Sequence, residues 1–207
     1  MVSGKPLFSN KEQKYLSNTD FLLTKREIIA KVRHLLEGCS RELKAEFASG
    51  TYTIDSIYFS NGYKISRGEN YKGLPYLVLD HPGYFVKEEV FSYRVIFWWG
   101  HLFSFSLHVA GKHLDDATKQ LLKQMNKPFC KNIYICINDS PWQYYFEPDN
   151  YQLVSSLSAE SIQKIVSDHG FLKIARKSTL EEWPFLTKLT IENLRALSAL
   201  TGFIEEF

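Results

Sequence analysis

Phe91 to Ala110 reads FSYRVIFWWGHLFSFSLHVA, two runs of β-branched and aromatic residues that meet at Gly100-His101. Such runs suit paired strands, and a two-residue loop with glycine first suits the type II′ turn that joins them antiparallel. Pairing across that turn sets Ser104 opposite Phe97, Ser106 opposite Val95 and His108 opposite Tyr93. Side chains alternate along a strand, so Ser104, Ser106 and His108 share one face. Small polar groups beside large rings can outline a cleft.

The period-two pattern extends upstream. Ile57 to Ser66 reads IYFSNGYKIS, and Asn61-Gly62 is the pair that a type I′ hairpin turn favours. Pro75 to Asp80 predicts another strand and Asn132 to Asn138 a further one. Helices frame this core. Ser9 with Glu12 and Thr24 with Glu27 have capping-box spacing, and Ile28, Ile29, Val32, Leu35 and Leu36 recur at helical spacing behind them. A helix starts near Asp115, where Asp115 or Asp116 can cap it, and stops at Asn126-Lys127-Pro128. Ser158 opens another that Gly170 ends, Phe171 to Arg176 forms a short strand, and Thr190 opens the last helix. The tract Asn138 to Asn150, with Pro141 and Pro148, is the best internal boundary but is short enough to be a surface loop. The order of elements predicts one α+β domain over residues 1–207: N-terminal helices in 9–48, a sheet core in 53–138 and a helical part in 151–207. Its antiparallel sheet has about five to seven strands.

Composition narrows the function. The chain has 207 residues, 44% hydrophobic and 23% charged, with fifteen Phe, twelve Tyr and four Trp, so large rings dominate its core. Twenty-five basic residues against 23 acidic ones create no global field for nucleic acid or anionic membrane. Met1 to Asn10 lacks a signal peptide's apolar core, and no apolar run approaches the roughly 20 residues of a membrane span, which points to the cytoplasm. Cys39, Cys130 and Cys136 are odd in number without CxxC spacing, as expected of buried thiols rather than a disulfide framework or zinc site.

Four sets of residues carry candidate chemistry. His101, His108 and His113 with Asp115 and Asp116 are dense in metal-ligand types but lack any ligand spacing, so no metal and no cofactor is assigned. Ser104, Ser106 and His108 invite a nucleophile and base, yet residues two apart on a strand lie about 6 to 7 Å from Cα to Cα. The stretch Ser66 to Gly73, with Arg67, Tyr71 and Lys72, reads as a loop able to grip an anion, though no Lys-Ser/Thr follows to make it a P-loop. Lys64, Arg67, Lys72, Lys87 and Arg94 alternate with tyrosines as single-strand nucleic-acid binders do, but Glu69, Glu88 and Glu89 interrupt them.

Gly68 to Tyr76, GENYKGLPY, followed by Phe97 to Gly100, FWWG, resembles stretches in small uncharacterised bacterial proteins. The resemblance implies a bacterial cytoplasmic protein and brings no catalytic residue with it. The reading that follows is a non-catalytic module that binds a small anionic ligand or a protein partner through a sheet edge near Arg67, Tyr71, Lys72, Tyr93, Arg94 and His108. A hydrolase or transferase with His108 as general base is the alternative, and single-stranded nucleic-acid binding ranks third.

Overall fold

The computed structural model describes residues 7–49 and 51–204. Most of the stretch Met1 to Asn10 lies outside the described residues. The chain forms one α+β domain around a seven-stranded antiparallel sheet, as the order of elements predicts. In chain order the elements are α1 (Asn10–Leu16), α2 (Thr19–Phe47), β1 (Lys64–Tyr71), β2 (Leu74–Val86), β3 (Glu89–Trp98), β4 (Leu102–Ala110), α3 (Leu114–Gln124), β5 (Tyr134–Cys136), β6 (Tyr151–Leu153), α4 (Ala159–His169), β7 (Phe171–Ser178) and α5 (Leu186–Thr201). Across the sheet the order is β1-β2-β3-β4-β7-β5-β6. No helix among the described residues is long and apolar enough to cross a membrane.

Helices cover one face. Leu77, Leu79, Tyr93, Val95, Phe105, Leu107, Leu172 and Ile174 project into a single core with Val32 and Leu36 of α2, Leu121 of α3, Ile162 of α4 and Leu194 and Leu197 of α5. The three cysteines are buried and free. The capping box at Ser9 and Glu12 opens α1, where the Ser9 hydroxyl accepts from the Glu12 amide. Ser158 caps α4, and Gly170 ends it in the left-handed conformation that lacks a Cβ penalty for glycine.

The hairpin register differs from the predicted one by a single residue. Trp98 pairs with Leu102, so the loop has three residues, with the His101 amide donating to the Trp98 carbonyl at 3.1 Å and Gly100 at φ +72°. Ser104 therefore faces Ile96, Ser106 faces Arg94 and His108 faces Ser92. A slip of one residue exchanges faces. It removes Tyr93 from the His108 face, where its hydroxyl instead donates to the Thr190 carbonyl beneath α5, and brings Arg94 there.

Other local expectations shift for physical reasons. Ser56–Phe59 is a 3-10 turn rather than a strand, because Tyr58 buries its ring on Phe91, 4.9 Å between centroids, and its hydroxyl donates to Glu89. The type I′ signature falls instead at Lys72-Gly73, φ +48° and +82°, between the paired residues Tyr71 and Leu74. Ser66 to Tyr71 is thus strand, not loop, and the Tyr76 ring lies over the bare backbone of Gly68, where a Cβ would stand 2.2 Å from it. Thr24 lies inside α2, whose cap is Asn18, and Thr190 lies inside α5, bonding back to the Leu186 carbonyl. α3 starts after His113 without a side-chain cap from Asp115 or Asp116. Asn138 to Asn150 connects two paired strands, β5 and β6, so it is a loop within the sheet layer.

Candidate functional site

The face opposite the helices is polar at its centre. Register places Asp80, Arg94, Ser106 and Ala175 in one row across β2, β3, β4 and β7, with Gly83, Ser92, His108 and Lys173 in the next. All of these polar residues are buried. Arg94 donates to both carboxylate oxygens of Asp80, at 2.6 and 3.0 Å, and the Ser92 hydroxyl adds a third bond at 3.1 Å. A bidentate pair of this kind answers the charge of both partners.

The β5–β6 loop roofs this face. Lys173 donates through Nζ to the carbonyls of Pro141 (2.5 Å) and Gln143 (3.2 Å), and among the described residues it meets no carboxylate. Burial, with a smaller contribution from Arg94, pushes its amine down to about 7 against the opposing pull of Cys136 and Asp80. Trp142 lies over the Arg94 guanidinium, 5.0 Å to the ring centroid, and edge-on to His108 at 5.9 Å. Tyr71 fastens the near side, its hydroxyl accepting from the Tyr144 amide at 2.8 Å and donating to Gln143 at 3.0 Å.

The six residues expected to form one site are thus divided. Arg94 and His108 lie under the roof, Tyr71 helps hold it down, and Lys72 sits over the Tyr145 ring at 3.5 Å on its rim. Arg67 is exposed on β1 and paired with Glu69, which also pairs with Lys25. Tyr93 is on the opposite face. Burial first, then Lys173 and Arg94, pushes His108 down to about 3, so its imidazole is neutral. Its closest ring neighbours are Trp142 and Phe171, and no hydroxyl or carboxylate hydrogen-bonds to it among the described residues. A base needs such a partner or an open path to a substrate, and the roof leaves neither. His101 stacks on Trp98 at the hairpin tip, while His113 meets Asp55 at 3.2 Å at the far end of β4. Among the described residues no three His, Cys, Asp or Glu side chains gather as a metal site.

A hollow of about 240 Å³ adjoins Asp80 at the edge of this face, lined by Lys64, Gly83 and Phe85, and a larger open volume lies elsewhere. A groove of about 850 Å³ runs between α2 and the hairpin tip, lined by Ile28, Val32, Leu35, Phe97, Trp99 and Trp183 among others. Trp183 belongs to a 3-10 helix, Leu180–Phe185, opened by a capping box between Thr179 and Glu182. The groove's charged rim is Lys31, with His34 beside it. Period-seven spacing on α2 carries its wall outward from Leu35 and Ile28 to Phe21, which is half exposed. α1 buries none of its residues. The helical stripe was legible in the sequence, but its unfilled state was not, since that depends on where the sheet ends beneath α2. None of the family models, curated proteins or solved structures with which the chain was compared matches it.

Proposed function

We propose that the protein is a non-catalytic binding module whose α2 groove receives an amphipathic helix from a protein partner. The observation that carries this reading is the apolar groove together with the exposed stripe that prolongs it. From Phe21 to Leu35 the stripe spans about 21 Å along the helix axis, longer than a small molecule covers and suited to a helix laid into a groove. Trp183 and Phe185, both more than half exposed, supply aromatic anchors of the kind that dominate protein interfaces. Lys31 and His34 are the polar lining groups, so the partner's facing edge is acidic. A second copy fits less well, because its own α1 brings Lys11 and Lys14 against Glu12 alone.

The test places a photo-crosslinking phenylalanine at Trp183 in the cells that naturally make the protein, with the same substitution at Trp142 on the other face as control. A single discrete adduct with another polypeptide is expected at position 183, absent from position 142 and abolished by Ile28→Glu. Ile28 is 36% exposed, so that variant should keep its thermal transition. No adduct, an adduct with a second copy of the chain, or indifference to Ile28→Glu would each overturn the reading.

A further inference from the structure

β2 carries a bulge. Asp80 pairs with Arg94 and Gly83 with Ser92, so His81-Pro82 holds one residue more than the opposing strand, and proline in a strand belongs at such irregularities. The bulge turns His81 toward α2, where Nδ1 meets the Ser40 hydroxyl at 2.9 Å. Both residues are buried, Ser40 at 2% and His81 at 6% exposure. Burial, and then the charge of Lys44, push the His81 imidazole down to about 4, so it is neutral and carries a single ring proton.

The hydrogen-bond inventory places that proton. Among the described residues Nδ1 is the only acceptor the Ser40 hydroxyl meets, and a buried hydroxyl donor left without an acceptor is costly. Ser40 therefore donates, Nδ1 accepts, and the proton resides on Nε2. That nitrogen has no protein partner among the described residues, and its ring lines a cavity of about 480 Å³. Phe47, Phe59 and Tyr63 wall the same cavity, and Lys44 stands beside them. The Tyr63 ring stacks parallel to His81 at 5.9 Å and Phe47 lies at 6.0 Å, so the imidazole is fixed from two sides as well as by Ser40.

We propose that this cavity binds a small organic carboxylate with a flat apolar body, its carboxylate held between the Nε2–H of His81 and the Lys44 ammonium and its body between the aromatic walls. The volume lies within the roughly 300 to 1,000 Å³ of small-molecule sites, and apolar walls with a few convergent polar groups are their usual composition. Two donors and no lining carboxylate select an anion. Aromatic walls on a neutral donor select an organic acid over a bare, strongly hydrated ion. Ser40 is a positioning residue, since it fixes the tautomer without touching the ligand. The site is separate from the α2 groove, and neither reading depends on the other.

The experiment titrates the full chain with benzoate, phenylacetate and inorganic phosphate while following the His81 ring and the Tyr63 resonances by NMR. Saturable shifts with at least one of the two organic acids are expected, with phosphate at least tenfold weaker. Lys44→Met, at an exposed position, should weaken the acid about tenfold, whereas Ile28→Glu in the groove should leave it unchanged. The His81 nitrogen spectrum should show the proton on Nε2 in the wild type and a mixture of tautomers in Ser40→Ala. No saturable shift with either acid, an equal response in Lys44→Met, or phosphate binding as tightly as the acids would overturn the proposal.

Discussion

The two faces of one sheet are closed by opposite means. Beneath the helices, side chains from β2, β3, β4 and β7 meet α2, α3, α4 and α5 mainly through hydrocarbon, with Tyr93 to Thr190 and Ser40 to His81 as directed bonds, so that face is held chiefly by area and fit. Beneath the β5–β6 loop, the same four strands present Asp80, Ser92, Arg94, Ser106, His108 and Lys173, and the roof is held by directed bonds to its main chain. The contrast teaches that density of chemical groups and open volume do not coincide in this chain. The polar face, richest in chemical groups, is covered by its own roof with a hollow of about 240 Å³ beside Asp80, while the α2 groove and the His81 cavity, both larger, lie on the helix side.

The contrast breaks most sharply at Asp80. Asp80→Ala leaves the Arg94 guanidinium buried without its carboxylate, and removing one partner of such a pair costs about 3 to 5 kcal/mol. Replacing both, as Asp80→Leu with Arg94→Met, should recover most of that loss in urea unfolding, because neither charge is then stranded. On the helix face no such rescue exists. Leu107→Ala, fully buried on β4, should cost about 2 to 5 kcal/mol through lost transfer energy and the cavity left behind. Its effect should add to that of Asp80→Ala, since the two side chains point to opposite faces. Strong coupling between Leu107 and Asp80, or no rescue in the double replacement, would show that the faces are not held independently.

Much of this architecture was legible in the residues. Capping boxes and glycine stops located helix ends at Ser9, Ser158 and Gly170, and period-two runs located the central strands. What the residues did not reveal was register. Whether Gly100 begins a two-residue turn or sits inside a three-residue one is decided by backbone geometry around it, and that single residue chose which of Tyr93 and Arg94 joined His108. Lys173 was invisible for a different reason. Its partners are carbonyls 30 and 32 residues earlier, and main-chain groups leave no mark in a sequence. His81 did leave a mark. Asp80-His-Pro-Gly83 breaks a strand pattern with a proline, the sign of a bulge, and Ser40 interrupts the apolar stripe of α2 between Leu36 and Leu43. Neither feature points to a site alone; only the fold brings them within 2.9 Å.

The smallest expected effect tests the roof itself. Lys173 has its amine pushed from the ordinary 10.5 down to about 7 by burial, so above about 7 the folded chain gives up a proton that the unfolded chain still holds. Stability then rises with pH, by at most about 1.4 kcal/mol per unit. The useful window runs from pH 7 to about 8.5, the ordinary range of a thiol, since the three buried cysteines are raised and lose stability as pH climbs further. The buried histidines His81 and His108, pushed down to about 4 and about 3, act below their ordinary 6.5 and outside this window. Lys173→Met should therefore flatten the slope of unfolding free energy between pH 7 and 8.5. At pH 7 the change in stability should be slight, because removing a buried charge offsets the two carbonyls left without a donor. Those carbonyls belong to the roof, so amide exchange across Trp142 to Tyr145 should quicken even while global stability holds. An unchanged pH slope would mean that Lys173 titrates as in water, and unchanged exchange would mean that Trp142 and Tyr71, rather than the amine, keep the polar face closed.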